Sequence, residues 1–141
     1  MLPIVIKGNC HSDHRGTLKF NNGFDASQIK RMYVIENESS NFRRGWQGHK
    51  REQRWFSAMV GTFEIQLIRI DNWDNPEPTL KPYVFCLSSE NLDILHVPSG
   101  YISCIQSKEE NAKLLVMSDY LLGEIKDEYK YPLEYFVCTK Q

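Results

Sequence analysis

The chain carries little that would take it into a membrane or an oxidising compartment. None of its 141 residues belong to a run approaching the roughly 20 apolar residues that a membrane helix needs. No membrane partner is therefore expected. Met1 to Lys7 has neither a basic n-region nor an apolar h-region, so no signal peptide is expected. Cys10, Cys86, Cys104 and Cys138 are far apart and form no CxxC pair. That suits reduced, mostly buried thiols in a cytoplasm better than a disulfide frame. A surplus of one charge sign is also missing. The net charge is -1, which gives no general attraction to nucleic acid. Internal repeats, low-complexity segments and a second-domain boundary are absent, and the length suits one domain over 1–141.

What is present is a series of short runs rich in β-branched and aromatic residues, separated by polar turns. Ile4 to Lys7 opens the series. His11 to Gly16 reads as a turn, Thr17 to Phe20 as an extension from it, and Asn21-Asn22-Gly23 as a break. Ile29 to Glu36 is a strand candidate with Ile29, Arg31, Tyr33 and Ile35 on one face. Trp55 to Val60 and Thr62 to Ile70 read as a hairpin turning near Gly61. Asp71 to Pro82 holds three prolines and two asparagines and is expected to be a long loop. Tyr83 to Leu87, Ile94 to Val97, Tyr101 to Gln106 and Ala112 to Ser118 complete the strands. Helical spacing enters only afterwards, with Leu121, Leu122, Ile125 and Tyr129 on one face and Pro132 as the stop. The expectation is an all-β barrel or sandwich with a short C-terminal helix.

Ionisable and amide side chains concentrate in one window, Arg43 to Gln53, just before the apolar run from Trp55. If the window is extended, Gln47 and His49 point one way and Trp46 and Lys50 the other. Gly48 between them allows a ligand or a second backbone to approach. The plainer alternative is an exposed, charged loop. Arg43, Arg44, Lys50, Arg51 and Arg54 either hold a small anion or form a solvated face offset by Glu36, Glu38 and Glu52.

The motifs in order resemble the cupin enzymes that act on nucleotide-linked 4-keto-6-deoxyhexoses. These are the dTDP-4-dehydrorhamnose 3,5-epimerases and, more closely, the dTDP-sugar 3,4-ketoisomerases of the WxcM-like group. Arg15-Gly16-Thr17-Leu18 is similar to the family's early turn, and Lys30 to Ile35 to the strand before its central motif. Arg44-Gly45-Trp46-Gln47-Gly48-His49-Lys50 is similar to its RGxHxHK signature. Leu95 to Gly100 resembles its second hallmark turn, and Ser118-Asp119-Tyr120 its closing Asp-Tyr. The resemblance implies a cupin jelly roll (a double-stranded β-helix barrel), a homodimer often with an exchanged N-terminal strand, and a dTDP-linked keto sugar as the small-molecule partner. Gln47 stands where the family's first signature histidine would be, and Ser103 where many cupins place another. Metal-binding cupins draw three histidines and a carboxylate from these two motifs. Gln and Ser replace imidazole poorly at a transition metal, so neither a metal nor another cofactor is expected.

Such chemistry removes a proton beside a ketone and stabilises the enediolate that forms. It needs a base that titrates near neutral pH, aimed donors for the oxyanion, and arginines for a diphosphate. The resemblance suggests His49 as base, Gln47 as an orienting or oxyanion amide, and Tyr120 as acid. Tyr33 is a second acid candidate on the barrel wall, and Ser103 is a substrate contact. Arg15, Arg31 and Arg44 would clamp the diphosphate. Trp46, Trp55 and Phe56 are aromatic options for the thymine ring. His96 would supply a second imidazole if it faces inward. Several have a structural alternative. His49 can be a satisfied strand residue, and Tyr120 can cap the barrel beside the tail. Arg31 and Arg44 can pair with Glu36 or Asp13, and Asp13 can simply form the turn beside Gly16. A non-catalytic nucleotide-sugar-binding or dimeric scaffold that lost its first histidine is the second reading. A metal-dependent cupin is the third.

Overall fold

The computed structural model describes residues 1–137, so Cys138 lies outside the described residues. Among the described residues twelve strands form: β1 (Ile4–Ile6), β2 (Asn9–Asp13), β3 (Gly16–Phe20), β4 (Arg31–Ile35), β5 (Arg44–His49) and β6 (Arg54–Val60) come first. They are followed by β7 (Thr62–Arg69), β8 (Tyr83–Ser88), β9 (Ile94–Val97), β10 (Tyr101–Ser107), β11 (Lys113–Ser118) and β12 (Glu128–Lys130). One antiparallel sheet runs β1-β9-β6-β11-β4 and a second runs β12-β5-β10-β7-β8, while β2 and β3 pair only with each other. Strands β4 to β11 thus connect in jelly-roll order, and the expected all-β cupin barrel is the observed fold.

Alternation along the strands builds the barrel interior. Phe63, Ile65 and Leu67 of β7 meet Phe56 and Ala58 of β6, Leu95 and Val97 of β9, and Leu114 and Val116 of β11 in one core. A second cluster covers the outer face of the β5-β10-β7 sheet. There Trp46, Ile68, Ile102 and Phe136 pack with Trp73 and Leu80 of the 71–82 loop. The expected long loop is therefore present, and it shields a sheet face: Tyr131 Oη donates to the Trp73 carbonyl at 2.6 Å and the Val137 amide to that of Pro78 at 2.9 Å. A third cluster of Trp55, Ile94 and Met117 lies on the outer face of the other sheet.

Four readings need correction. The run after Trp55 is not a hairpin, because β6 pairs with β9 and β11 while β7 pairs with β8 and β10. Gly61, at φ +78°, turns the chain from one sheet into the other. His11 to Asp13 belong to strand β2, which has every residue exposed and no apolar face to announce it. The stretch with helical spacing forms turns and then β12, with Gly123 at φ +79° interrupting it. Glu128, Tyr129 and Lys130 align on His49, Gly48 and Gln47 of β5. The short C-terminal helix that does form is one 3-10 turn, Leu133–Tyr135, after Pro132 rather than before it. Of the thiols, Cys104 is buried but Cys10 and Cys86 are exposed. Among the described residues no helix is long and apolar enough to cross a membrane.

Candidate active site

Within the 43–53 window, Arg44–His49 is strand, not loop. Strand β5 lies between β10 and β12, and Gly48 is where it meets β10 most closely. A Cβ there would stand 2.2 Å from the Tyr101 carbonyl oxygen. The close approach is thus to a second backbone. Gln47 and His49 share one face and line a barrel cavity of about 360 Å³ with Tyr33, Arg44, Phe56 and Ser103, among others. Trp46 points the other way and is fully buried in the outer cluster.

Directly after His49 the chain turns sharply, and a buried carboxylate holds the turn. Asp127 accepts hydrogen bonds from the amides of Lys50, Arg51 and Glu52 at 3.1, 2.7 and 2.8 Å. The turn brings Glu52 and Arg54 back beside the imidazole. The His49 Nδ1 atom is 2.9 Å from Glu52 Oε2, although off the line of a good hydrogen bond. Ser118 Oγ donates to the other Glu52 oxygen at 2.7 Å. Arg54 Nη2 lies 2.6 Å from His49 Nε2 and Nη1 donates to Tyr33 Oη at 2.7 Å.

This contact decides the imidazole tautomer. A guanidinium has donors and no acceptor. Arg54 therefore donates, Nε2 accepts, and the neutral ring carries its proton on Nδ1, on the Glu52 side. Burial first, and then the Arg54 charge, hold His49 below the ordinary imidazole value, with Glu52 and Asp127 opposing. Burial lowers His96 too. Between an ordinary value of about 6.5 and these lowered ones, the unfolded chain binds protons that the folded chain refuses. The corresponding stability is complete above about pH 6.5 and is lost as pH falls toward the folded values. Urea midpoints measured below that pH should fall less steeply in a His49→Asn variant than in the parent; identical slopes would contradict the assignment.

The other predicted residues scatter. Ser103 lines the cavity with its Oγ donating to the Gln47 carbonyl at 3.3 Å. Gln47 donates its amide to Glu128 of β12. Arg44 lines the cavity and donates to Asn37 Oδ1 at 3.2 Å. Arg31 lies in a neighbouring groove of about 530 Å³ that shares His49, Glu52 and Arg54 with the barrel cavity. Arg15 sits on the β2–β3 hairpin, bound to Asp13 at 2.8 Å. The three arginines therefore do not converge within one chain.

His96 faces outward: it stacks on Trp55 with centroids 5.0 Å apart and bonds Gln53 Oε1 at 2.7 Å. Its neighbours Leu95 and Val97 take the inward positions, so it cannot stand in for the missing histidine. Tyr120 lies beyond both cavities, with Lys30 Nζ 5.8 Å from its ring centroid. Of the three aromatic options, only Phe56 lines the cavity; Trp46 and Trp55 belong to outer clusters.

Sequence reasoning missed Glu52 as a partner of His49, and missed Ser118, Asp127 and the buried placement of Arg54. The spacing His49-x-x-Glu52-x-Arg54 was visible, but only the turn held by Asp127 folds it onto itself. His49, Glu52 and Asp127 also offer donor atoms within 4.8 Å of one another. That set is already occupied: Asp127 is committed to three amides, and Arg54 supplies the cation beside His49 and Glu52.

Known proteins share this fold. The family of WxcM-like, C-terminal proteins (FdtA) matches residues 4–139. The chain belongs to this family. No curated protein matches the sequence. Among solved structures, this WxcM-like chain is similar to a 3,4-ketoisomerase from Helicobacter canadensis. That match has 21% identity and a TM-score of 0.72, covering 99% of this chain and 98% of that one. It is also similar to a histidine-to-asparagine mutant of the 3,4-ketoisomerase QdtA from Thermoanaerobacterium thermosaccharolyticum, in complex with TDP-4-keto-6-deoxyglucose. There the identity is 22% and the TM-score 0.70, with 99% and 96% covered. A dTDP-4-dehydrorhamnose 3,5-epimerase from Bacillus anthracis, with TDP and PPi bound, aligns at 14% identity and a TM-score of 0.71, with 89% and 76% covered. At these identities the likeness is one of fold.

Proposed function

We propose that this WxcM-like protein is a nucleotide-sugar isomerase or epimerase acting on a dTDP-4-keto-6-deoxyhexose, with 3,4-ketoisomerisation preferred over 3,5-epimerisation. One observation carries the reading: a buried imidazole in the barrel cavity is kept neutral, with Nε2 as its accepting nitrogen and a carboxylate beside Nδ1. A base of this kind suits removal of a proton next to a ketone at neutral pH. The proton at sugar C3 passes to His49 Nε2. The C–H electron pair forms the C3=C4 bond, and the carbonyl pair moves onto O4. Return of a proton from His49 to C4, with transfer of the O3 proton to O4, completes the ketone shift without any oxidant. Gln47 and Ser103 are placed to orient the sugar, Tyr33 to exchange protons with its oxygens, and Arg44 to meet a phosphate at the cavity wall.

The ketoisomerase relatives support the substrate class. The cavity volume of about 360 Å³ lies in the range of small-molecule sites, roughly 300–1,000 Å³. It holds the sugar and leaves the nucleotide to extend outward. The protein acts as a single cupin domain over 1–141, as a cytoplasmic homodimer. In support of the dimer, the β2–β3 hairpin has an exposed surface and, among the described residues, no third strand. A second copy accepting that hairpin would bring Arg15 toward a partner's cavity.

Incubation with dTDP-4-keto-6-deoxyglucose in deuterated water should place deuterium on the ring beside the ketone and generate the 3-keto isomer. The acid limb of kcat/KM should fall below about pH 6.5, because the base is held below its ordinary value. Absence of both deuterium uptake and a new keto sugar would reject the reading for this substrate.

A further inference from the structure

Arg54 is a buried cation on the wall of the barrel cavity, with a side chain only 8% exposed. It does more than balance Glu52, which lies 3.4 Å from Nη2. The same Nη2 is closer to His49 Nε2, at 2.6 Å, and Nη1 is anchored on Tyr33 Oη. Its Nε, buried as well, has no hydrogen-bond partner among the described residues. So the guanidinium is incompletely satisfied, beside a cavity of about 360 Å³.

The consequence is chemical. The lone pair of Nε2 is the only one a neutral His49 can offer to a proton, since Nδ1 already carries one. In this arrangement an Arg54 N–H occupies it. Proton abstraction requires that donor to go elsewhere. A carbonyl oxygen in the cavity competes for it and becomes a stronger acceptor as it gains negative charge, because hydrogen bonds between ionised partners are about twice as strong as neutral ones.

We propose that Arg54 is a further catalytic residue. It caps His49 Nε2 while the cavity is empty, then passes the donor to the substrate carbonyl oxygen, which uncovers the base and holds the oxyanion as it forms. When the C3–H bond breaks, its proton goes to the uncovered Nε2, its electron pair into C3=C4, and the carbonyl pair to the oxygen that Arg54 then holds. The second half of this inference rests on the keto-sugar reading above; the capping half does not.

Two measurements on the full chain separate them. Without any sugar, diethyl pyrocarbonate labelling followed by peptide mass analysis reads access to His49 Nε2, with exposed His11 as internal reference. His49 should label about ten-fold or more slowly in the parent than in Arg54→Gln, the factor expected for a hydrogen bond to a charged group. Equal rates overturn the capping. With dTDP-4-keto-6-deoxyglucose, Arg54→Gln should lose about 10²–10³ in kcat, as for removal of an oxyanion donor, with little change in KM. Added guanidinium ion should restore part of the loss. A rise in KM alone, with kcat kept, overturns the catalytic role. If Arg54→Gln fails to fold because Glu52 is left buried and unpaired, the Glu52→Gln/Arg54→Gln double variant removes both charges and serves for the labelling and turnover measurements. If the parent itself exchanges no sugar proton, the keto-sugar reading and the oxyanion role fall together, and the labelling still decides the capping.

Discussion

Replacing His49 with asparagine is expected to slow deuterium exchange into a dTDP-4-keto-6-deoxyhexose by about 10²–10⁴-fold, the usual contribution of a positioned general base. That corresponds to about 3–5 kcal/mol of transition-state stabilisation. Asparagine keeps the volume of the inner part of the ring and a polar end for Arg54 and Glu52, but it cannot accept a proton at neutral pH. Nucleotide binding should change little, because among the described residues the side-chain hydrogen bond and ion pair of His49 stay within its own cluster of Glu52 and Arg54. Equilibrium binding of dTDP and single-turnover exchange, measured on the same preparation, separate the two effects. Exchange within a few-fold of the parent would move the base to another group in the cavity, with Tyr33 the first to examine.

Trp46→Ala is expected to cost about 3–5 kcal/mol of stability, the range for deleting a large buried aromatic. Domains of this kind are stable by only about 5–15 kcal/mol, so the variant should be close to unfolding at room temperature. Trp46 is fully buried. Its ring meets Phe136 edge-on with centroids 5.5 Å apart, and its main chain exchanges two hydrogen bonds with Tyr131, at 3.2 and 2.9 Å. Loss of the ring should therefore loosen the C-terminal segment before the barrel. Urea unfolding gives the free energy, and amide exchange at Tyr131 and Val137 gives the location. A change below about 1 kcal/mol, the size expected away from a core, with Tyr131 still protected, would refute this role. The residue sits one position from Gln47 in the signature, yet its expected effect is on folding and not on ligand contact.

The two variants show why neighbours in one motif divide between chemistry and architecture. In an extended strand, side chains alternate faces. Gln47 and His49 must share one side and Trp46 must take the other, whatever the rest of the chain does. Which side becomes the barrel interior depends on the sheets that close around it. An aromatic option for the nucleotide was therefore legible as a large apolar side chain, while its burial on the outer sheet face was not. The same ambiguity governed His96. Its strand was bounded correctly at Ile94 to Val97, and alternation tied it to Ile94 rather than to Leu95. Only the packing of Leu95 and Val97 into the barrel core turned it outward.

Local pattern alone determined the all-β class, most strand positions, the long loop after Ile70 and the pairing of faces within the 43–53 window, because period-two alternation and turn residues act over a few residues. The tertiary structure decided what long-range contacts decide. It sent β6 and β7 into different sheets although Gly61 signals a tight turn, and it drew the would-be helix after Ser118 into an edge strand. It also folded Glu52 and Arg54 onto His49 through a carboxylate 75 or more residues along the chain. Alternation and turn chemistry carry no record of such a partner; only the closure of the barrel brings Asp127 to the turn that sets Arg54 and Glu52 beside the imidazole.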